Sequence, residues 1–517
     1  MGRNSFLGLR GSALSLAQIL TVVAPAFILF GYNQSGLGGL LTEEDWVKTF
    51  PETDTVNTKG AQKSHNSTIQ GLTVATFTLG ALIGALTCSY SGDKLGRRWV
   101  IFIGALCTLI GEILECSSFS LAQFIVGRIV LGLGVGQLSA TVPVWQSECS
   151  SSKNRGKHVV LDGAFISLGY TLESWIDLGF YEFKTGPVTW RPPIAIACFF
   201  SIMTMVTVFF LPESPRWLIR KGRVDEARFA LCALKDQPSD SPEIEAEIVG
   251  VELSLEDTSA NGASLKDLLK NGPEKLRTRF FLCLLLQMYQ QMSGSNVVSV
   301  YSTTIFQQGL GLDGETSRIL SGGMLTFKFL SCFVAFFTID RLGRRMCFMV
   351  SGAGMALCMV ALCVSTSFTH SESASIAAAF FVYLFCFFVP IGFLGANFLY
   401  CAEIAPIRLR VAMASISTAN HWLWNFVVAM ITPVAIDTIA YQYYIVYASI
   451  GICIPISVYF FYPETMGRSL EEIDIIFRDT PNIFSAVSYS KKKPQLTAED
   501  VPLPASKTDE IYIEEKA

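Results

Sequence analysis

Long apolar runs alternate with short charged connections along this chain, and the runs are too long for a soluble core. Crossing a bilayer takes roughly 20 mainly apolar residues. Runs of that kind recur near 17–40, 69–90, 99–117, 121–145, 158–180, 190–211, 278–308, 316–338, 346–366, 374–400, 411–436 and 440–461. The pattern predicts twelve membrane-spanning helices. Pro25, Pro143, Pro390, Pro433 and Pro455 fall inside the runs, which suits membrane helices better than soluble ones. Polar sequence gathers in a loop at 41–68, in a stretch at 212–276 and in a tail from about 463. Within the second, "RVDEARFALCAL" and "SPEIEAEIVGVELSLED" predict short helices. The tail ends "KTDEIYIEEKA" and predicts mostly disorder. The resulting division is 1–211 and 277–462 as two membrane units, 212–276 as a linker and 463–517 as a tail. No cleavable signal peptide is evident, so the first run reads as an uncleaved signal.

Composition agrees. Of 517 residues, 51% are hydrophobic and 16% charged, with mean hydropathy +0.43; soluble domains carry about a quarter charged residues. The expected class is an all-α, multi-pass membrane protein. Lys94, Arg97, Arg98, Lys153, Arg155, Lys157, Arg341, Arg344, Arg345, Arg408 and Arg410 cluster in connections that share one side. The positive-inside rule makes that side cytoplasmic, with both termini. Glu43, Glu44, Asp45, Glu52 and Asp54 put the 41–68 loop outside. Fourteen cysteines lie mostly in apolar runs with no CxxC pair, which reads as small buried hydrophobes. "GLGVG" at 132–136 sits inside a span with no strand before it, so close helix packing explains it better than a dinucleotide loop. No catalytic triad, P-loop or metal set appears, and nothing points to a cofactor or a nucleic-acid partner. The expected partners are lipid and a small solute. "NST" at 66–68 makes Asn66 a candidate glycosylation site, although it abuts the second span.

Charged elements recur in order. "DKLGRR" at 93–98 returns as "DRLGRR" at 340–345. Asp340 follows Asp93 by 247 positions, Glu403 follows Glu148 by 255, Arg410 follows Arg155 by 255 and Glu464 follows Glu213 by 251. A near-constant offset implies two homologous halves of six spans, an arrangement seen in transporters with the solute site between the halves. Asp93, Arg97, Glu148, Arg155, Asp340, Arg344, Glu403 and Arg410 are then candidates for an ionic gate at the cytoplasmic helix ends. Topology alone accounts for the arginines but not for acids at fixed spacing.

"GDKLGRR", "GRIVLGLGVGQ…VPVWQSE…RG", "PESPRWL", "QQMSGSN", "DRLGRR", "AEIAPIRLR", "NHWLWNF" and "PETMGRSLEEI" together resemble the sugar porter family of the major facilitator superfamily. "FGYNQSGLGGLL" and "DWVKTFP" resemble fungal members. The resemblance covers about 20–480 and implies the major facilitator fold, two six-helix bundles, and alternating access.

Depth along the helices gives a second reading of the site. At about 1.5 Å rise per residue, Gln290, Gln291, Lys328 and His421 each lie roughly 16–18 Å from the nearest charged helix end, near mid-membrane. Polar groups at that depth are costly and usually functional. Amides exchange hydrogen bonds with hydroxyls, and an indole stacks on the apolar face of a sugar. The resemblance implies solute contacts at Gln290, Gln291, Asn296, Trp422 and Asn425. It also marks departures: Gly163 and Lys328 stand where the family has glutamine and asparagine, His421 where it has asparagine, and Phe398 where it has tryptophan. Lys328 is open to a carboxylate on the ligand or to an internal acid such as Asp162 or Glu112; His421 is open to packing, ligand contact or a proton. Asn33, with Arg128 as its expected partner, stands where proton-coupled relatives often have aspartate. Asparagine cannot release a proton, so facilitated diffusion is expected, with protons the candidate coupling ion should another group carry one. The expected cargo is a hexose, polyol or related solute. The alternative is an acidic or secondary metabolite, imported or exported, held by Lys328 and His421. A receptor that senses without transport is a third class, set against the shortness of the tail.

Overall fold

The computed structural model describes residues 5–150, 155–184, 186–260, 265–270, 272, 274–368, 372–406, 409–468 and 470–492. Every long element is a helix. Span 1 runs through Gly11–Gln18, Ile19–Val23 and Ala24–Ser35. Spans 2 to 6 are Gly60–Leu95, Arg97–Cys116, Leu121–Cys149, Arg155–Tyr181 and Arg191–Thr207. Span 7 is broken into Leu276–Met292, Ser295–Val300, Ser302–Thr304 and Ile305–Gly309. Spans 8 and 9 are Gly314–Leu342 and Arg344–Ser367, and span 10 is split into Glu372–Phe393 and Ala396–Ile404. Spans 11 and 12 are Arg410–Thr438 and Tyr443–Phe461. The twelve-span, two-bundle expectation holds.

Among the described residues, nine helices pass a test of length and hydropathy alone. The other three are spans 5, 7 and 11. Span 5 carries Asp162, Glu173 and Asp177; span 7 carries five glutamines and a break; span 11 carries Asn420, His421 and Asn425. Asp162, Glu173, Asp177, Gln287, Gln290, Gln291, His421 and Asn425 are buried in protein instead of facing lipid, the condition under which a membrane tolerates them.

The breaks have a local cause. Gly294 and Gly395 adopt φ of +90° and +104°, conformations open to glycine at little cost. Elsewhere glycine permits contact between backbones. A Cβ on Gly132 would stand 2.0 Å from the Phe77 carbonyl oxygen, and one on Gly136 would stand 2.1 Å from that of Ala81. The "GLGVG" stretch therefore lets span 4 lie directly on span 2, as helix packing in lipid favours.

Span 2 lies along span 11 and span 5 along span 8, joining the halves. The linker contributes helices Pro215–Arg220, Val224–Lys235 and Pro242–Ala260, which share a small core around Trp217, Leu231 and Ile244. The start of the chain rests on this linker, with Arg10 2.8 Å from Asp236 and Phe6 edge-on to Phe229 at 5.3 Å. The tail differs from its expectation. Helices Leu470–Asp479 and Ile483–Lys492 fold back on the base of span 7. Ile473, Ile476 and Phe477 are buried, and the Arg279 guanidinium lies 4.2 Å from the Phe477 ring and pairs with Asp474. An amphipathic period in an otherwise polar stretch explains the difference. Residues 493–517 lie outside the described residues.

Candidate functional site

Polar side chains from both halves meet at mid-depth. Span 7 presents Gln287, Gln290 and Gln291 on its last turns before the break, and Asn296 just after it. Span 11 faces them with His421, Trp422 and Asn425. The His421 Nδ1 lies 2.5 Å from Gln290 Oε1, and its Nε2 lies 3.1 Å from Gln291 Nε2. With the proton on Nδ1, the ring donates to the first glutamine while Nε2 accepts from the second. Asn397 Nδ2 donates to Gln287 Oε1 at 2.8 Å and to Gln290 Oε1 at 3.1 Å. Asn296 donates to Asn425 Oδ1 and accepts from Gln34 Nε2 at 2.7 Å.

An aromatic floor adjoins these amides. Trp422 packs on Phe30 at 4.9 Å, meets Phe77 edge-on at 5.8 Å and donates from Nε1 to Ser139 Oγ at 3.3 Å. Phe398 lies 5.3 Å from His421. Lys328 is 2% exposed; its Nζ donates to Ser299 Oγ at 2.7 Å and sits 4.7 Å over the Tyr170 ring. It pairs with neither acid considered from sequence. Glu112 accepts from Asn33 and Ser201, and Asp162 faces the Gln146 amide. Gly163, where the resemblance leads one to expect glutamine, has a reason of its own. A Cβ there would stand 2.4 Å from the Leu394 oxygen, so this glycine admits the break in span 10.

The repeated charges form two matching networks at the end bearing the linker. Arg97 reaches Glu148 at 2.9 Å and Asp93 at 3.8 Å. Arg344 reaches Glu403 at 3.1 Å and Asp340 at 2.9 Å. Glu213 accepts the backbone N–H groups of Arg97 and Arg98, as Glu464 accepts those of Arg344 and Arg345. Burial raises the Glu213 carboxyl above its ordinary range, opposed by those N–H groups and the Arg98 charge. The expectation was a latch between the halves. These described pairs instead brace spans 2, 3 and 4, or 8, 9 and 10, within one half each. Arg410 is half-buried at the start of span 11; the Arg155 side chain lies outside the described residues.

Three groups at other depths complete the picture. Arg128 donates to the backbone oxygen of Asn33 at 3.2 Å, not to its side chain, and lies 4.0 Å from Glu115. Asn66 is 3% exposed and its Nδ2 donates to the Asp54 carbonyl at 2.7 Å. A glycan would need that same nitrogen, so the folded geometry corrects the glycosylation reading: Asn66 holds the preceding loop. Sequence reasoning missed the contacts that close the end opposite the linker. Arg318 of span 8 donates to the Gly39 oxygen at 2.7 Å and to Thr42 Oγ1 at 3.2 Å, and lies 3.4 Å from Asp177 and 3.8 Å from Glu43. It is a cation of one half clasped by the other. Asp177 and Glu43 were visible as acids, but only the fold brings them to Arg318.

Two pseudo-equivalent bundles, matched networks and a polar centre on broken helices define a type, and the sequence comparison decides which. The Sugar (and other) transporter family matches residues 19–477. The chain belongs to that family. The transporter is 34% identical over 483 residues to the sugar transporter STL1 of Saccharomyces cerevisiae, covering 92% of this chain and 84% of the relative. It is 33% identical over 475 residues to the major facilitator superfamily transporter mfsA of Aspergillus fumigatus, covering 91% and 87%. In fold the transporter is similar to the proton:xylose symporter XylE bound to 6-bromo-6-deoxy-D-glucose, with TM-score 0.77, 22% identity, and 90% and 100% of the two chains covered. It is similar also to the partially occluded inward open conformation of XylE from E. coli, with TM-score 0.73, 20% identity, and 89% and 100% covered. The transporter is a multi-pass membrane protein of fungal sugar-porter type and not an enzyme.

Proposed function

We propose that this transporter moves a neutral hexose, polyol or related polyhydroxy solute across the plasma membrane by alternating access, with both termini cytoplasmic. One observation carries the reading: Gln290, Gln291, Asn296, His421 and Asn425 meet beside an indole where the halves join. Each amide both donates and accepts, so solute hydroxyls can replace the bonds these residues now make to one another. Trp422 and Phe398 offer apolar faces for the carbon skeleton. Arg97–Glu148 and Arg344–Glu403 keep each half rigid as it rocks, with Asp93 and Asp340 as outer partners. The names of relatives support the cargo class, being a sugar transporter and a xylose symporter.

An acidic cargo is the second reading and rests on Lys328, whose described partners are a hydroxyl and a ring. Uptake of labelled D-glucose, D-fructose, D-xylose and D-glucitol in cells lacking their own transporters separates the two. Saturable uptake lost in Gln291→Ala supports the first. Absence of all four, with uptake of an organic acid lost in Lys328→Asn, overturns it.

A further inference from the structure

A carboxylate in the first half belongs to neither the solute cluster nor the charged networks. Glu115 ends span 3 at 2% exposure. Its Oε2 lies 4.0 Å from Arg128 Nη1, and its Oε1 has no hydrogen-bond partner. The remaining contacts of Arg128 are to neutral groups: the oxygens of Asn33 and Val74, at 3.2 and 3.5 Å, and the face of Phe77 at 4.7 Å. Among the described residues, Glu115 is the one carboxylate within ion-pair distance of Arg128. The place is built for it. A Cβ on Gly127 would come within 2.8 Å of Glu115 Cγ, so glycine in span 4 makes the room. A small cavity lined by Tyr32, Asn33, Glu115, Arg128 and Glu173 touches both partners.

We propose that Glu115, paired with Arg128, is the proton site of a proton–solute symport. The proposal rests on the transport reading above and adds the coupling ion to it. It replaces the expectation drawn from Asn33: the acid absent from span 1 is supplied by span 3.

Three arguments support it. A buried pair at 4.0 Å with an idle carboxylate oxygen gains little Coulomb energy against a large desolvation cost, so its charged and neutral forms are close in energy. Glu112, one turn earlier, is unlike it: both oxygens are engaged, accepting from Asn33 Nδ2 at 3.1 Å and Ser201 Oγ at 2.8 Å. And the site reaches the solute by two routes. Arg128 holds the Asn33 carbonyl; the next residue, Gln34, donates to Asn296, which donates to Asn425. Phe77, beneath Arg128, meets Trp422 edge-on.

The step is a single O–H bond. Glu115 takes a proton from water on the outer side and becomes neutral. Arg128 loses its counter-charge and turns wholly to the Asn33 carbonyl, shifting span 1 against Asn296. On the inner side the acid returns the proton to water and the pair reforms. The titratable or charged groups facing the site are Glu112 and Cys116 on the same helix, Arg128 and Tyr32 on spans 4 and 1, Glu173 on span 5, Tyr301 on span 7, and Arg191, which holds the Cys116 carbonyl.

Purified transporter in liposomes tests the proposal with the four labelled solutes above. With the outside two pH units more acidic, wild type accumulates solute above equilibrium, toward a ceiling of about 100-fold for one proton per solute. Glu115→Gln, a fixed mimic of the neutral acid, ends accumulation and flattens the pH profile of exchange while solute counterflow continues. Glu112→Gln keeps accumulation. Wild type that exchanges solute but never accumulates it overturns the proposal, as does accumulation by Glu115→Gln. Infrared pH-difference spectra test the site without any solute. A carboxylic C=O band should titrate in wild type and vanish in Glu115→Gln; a band unchanged in the variant overturns the assignment. Absence of counterflow with all four solutes counts against the transport reading, while the infrared result still decides the proton site.

Discussion

Replacing Arg318 with methionine should unlatch the end of the molecule opposite the linker. Arg318 is 2% exposed, with Asp177 and Glu43 equally enclosed. Breaking a buried pair by removing one partner costs about 3–5 kcal/mol, because the other charge is stranded. The lower figure applies here. The Glu43 carboxyl is pushed up to about 8, first by burial and then by the Asp177 charge, with Arg318 opposing; it is largely neutral at pH 7, so Asp177 alone is stranded. About 3 kcal/mol is roughly two powers of ten in the ratio of closed to open molecules. Spin labels at positions 44 and 315, exposed sites on the two halves, read that ratio as a distance distribution. A long-distance population should appear in Arg318→Met. Distributions that overlay those of wild type would refute the latch. The sign of the pH effect also follows. The closed form keeps a proton on Glu43 up to about pH 8, whereas a solvated glutamate loses it near 4.3. The closed form thus binds more protons between those values, and closure weakens as pH rises through that window and levels off above it. Glu43→Gln should weaken the dependence.

Trp422→Ala should raise the solute concentration for half-maximal uptake about tenfold by removing the stacking face, measured in the uptake assay above. Gly132→Ala sets a methyl 2.0 Å from the Phe77 carbonyl oxygen and should lower stability by about 1–3 kcal/mol, read as a drop in melting temperature in detergent. Arg97→Ala and Arg344→Ala each remove ion pairs to two acids, at least one of them a charge-assisted hydrogen bond, and should destabilise by about 2 kcal/mol, with slower transport and near-normal solute binding. Normal rates in both would argue against the braces.

Much of this was legible because charge in a membrane is informative. The offset between "DKLGRR" and "DRLGRR" gave the two halves, and helical rise alone placed Gln290, Gln291, Lys328 and His421 at one depth. Their partners were harder to see. Gln34 stands in "GYNQ" and Asn397 in "GANF", polar letters in apolar runs like the others, but the sequence does not say which face of a helix they occupy. Fixed spacing reveals recurrence, not whether the partner is in the same half, so the direction of the charged pairs belongs to the fold. Glu115 stands one turn from Glu112 in "GEILEC", and only the fold brings it within 4.0 Å of Arg128. Asn66 matched a three-letter motif whose chemistry needs an accessible amide, and accessibility belongs to the fold.

The interruptions at Gly294 and Gly395 fall in spans 7 and 10, both in the second half, whereas span 4, the counterpart of span 10, runs without a break from Leu121 to Cys149. The related bundles are thus unequal where spans 4 and 10 correspond: the first keeps a continuous helix, and the second sets a glycine joint beside the polar centre, next to Asn397.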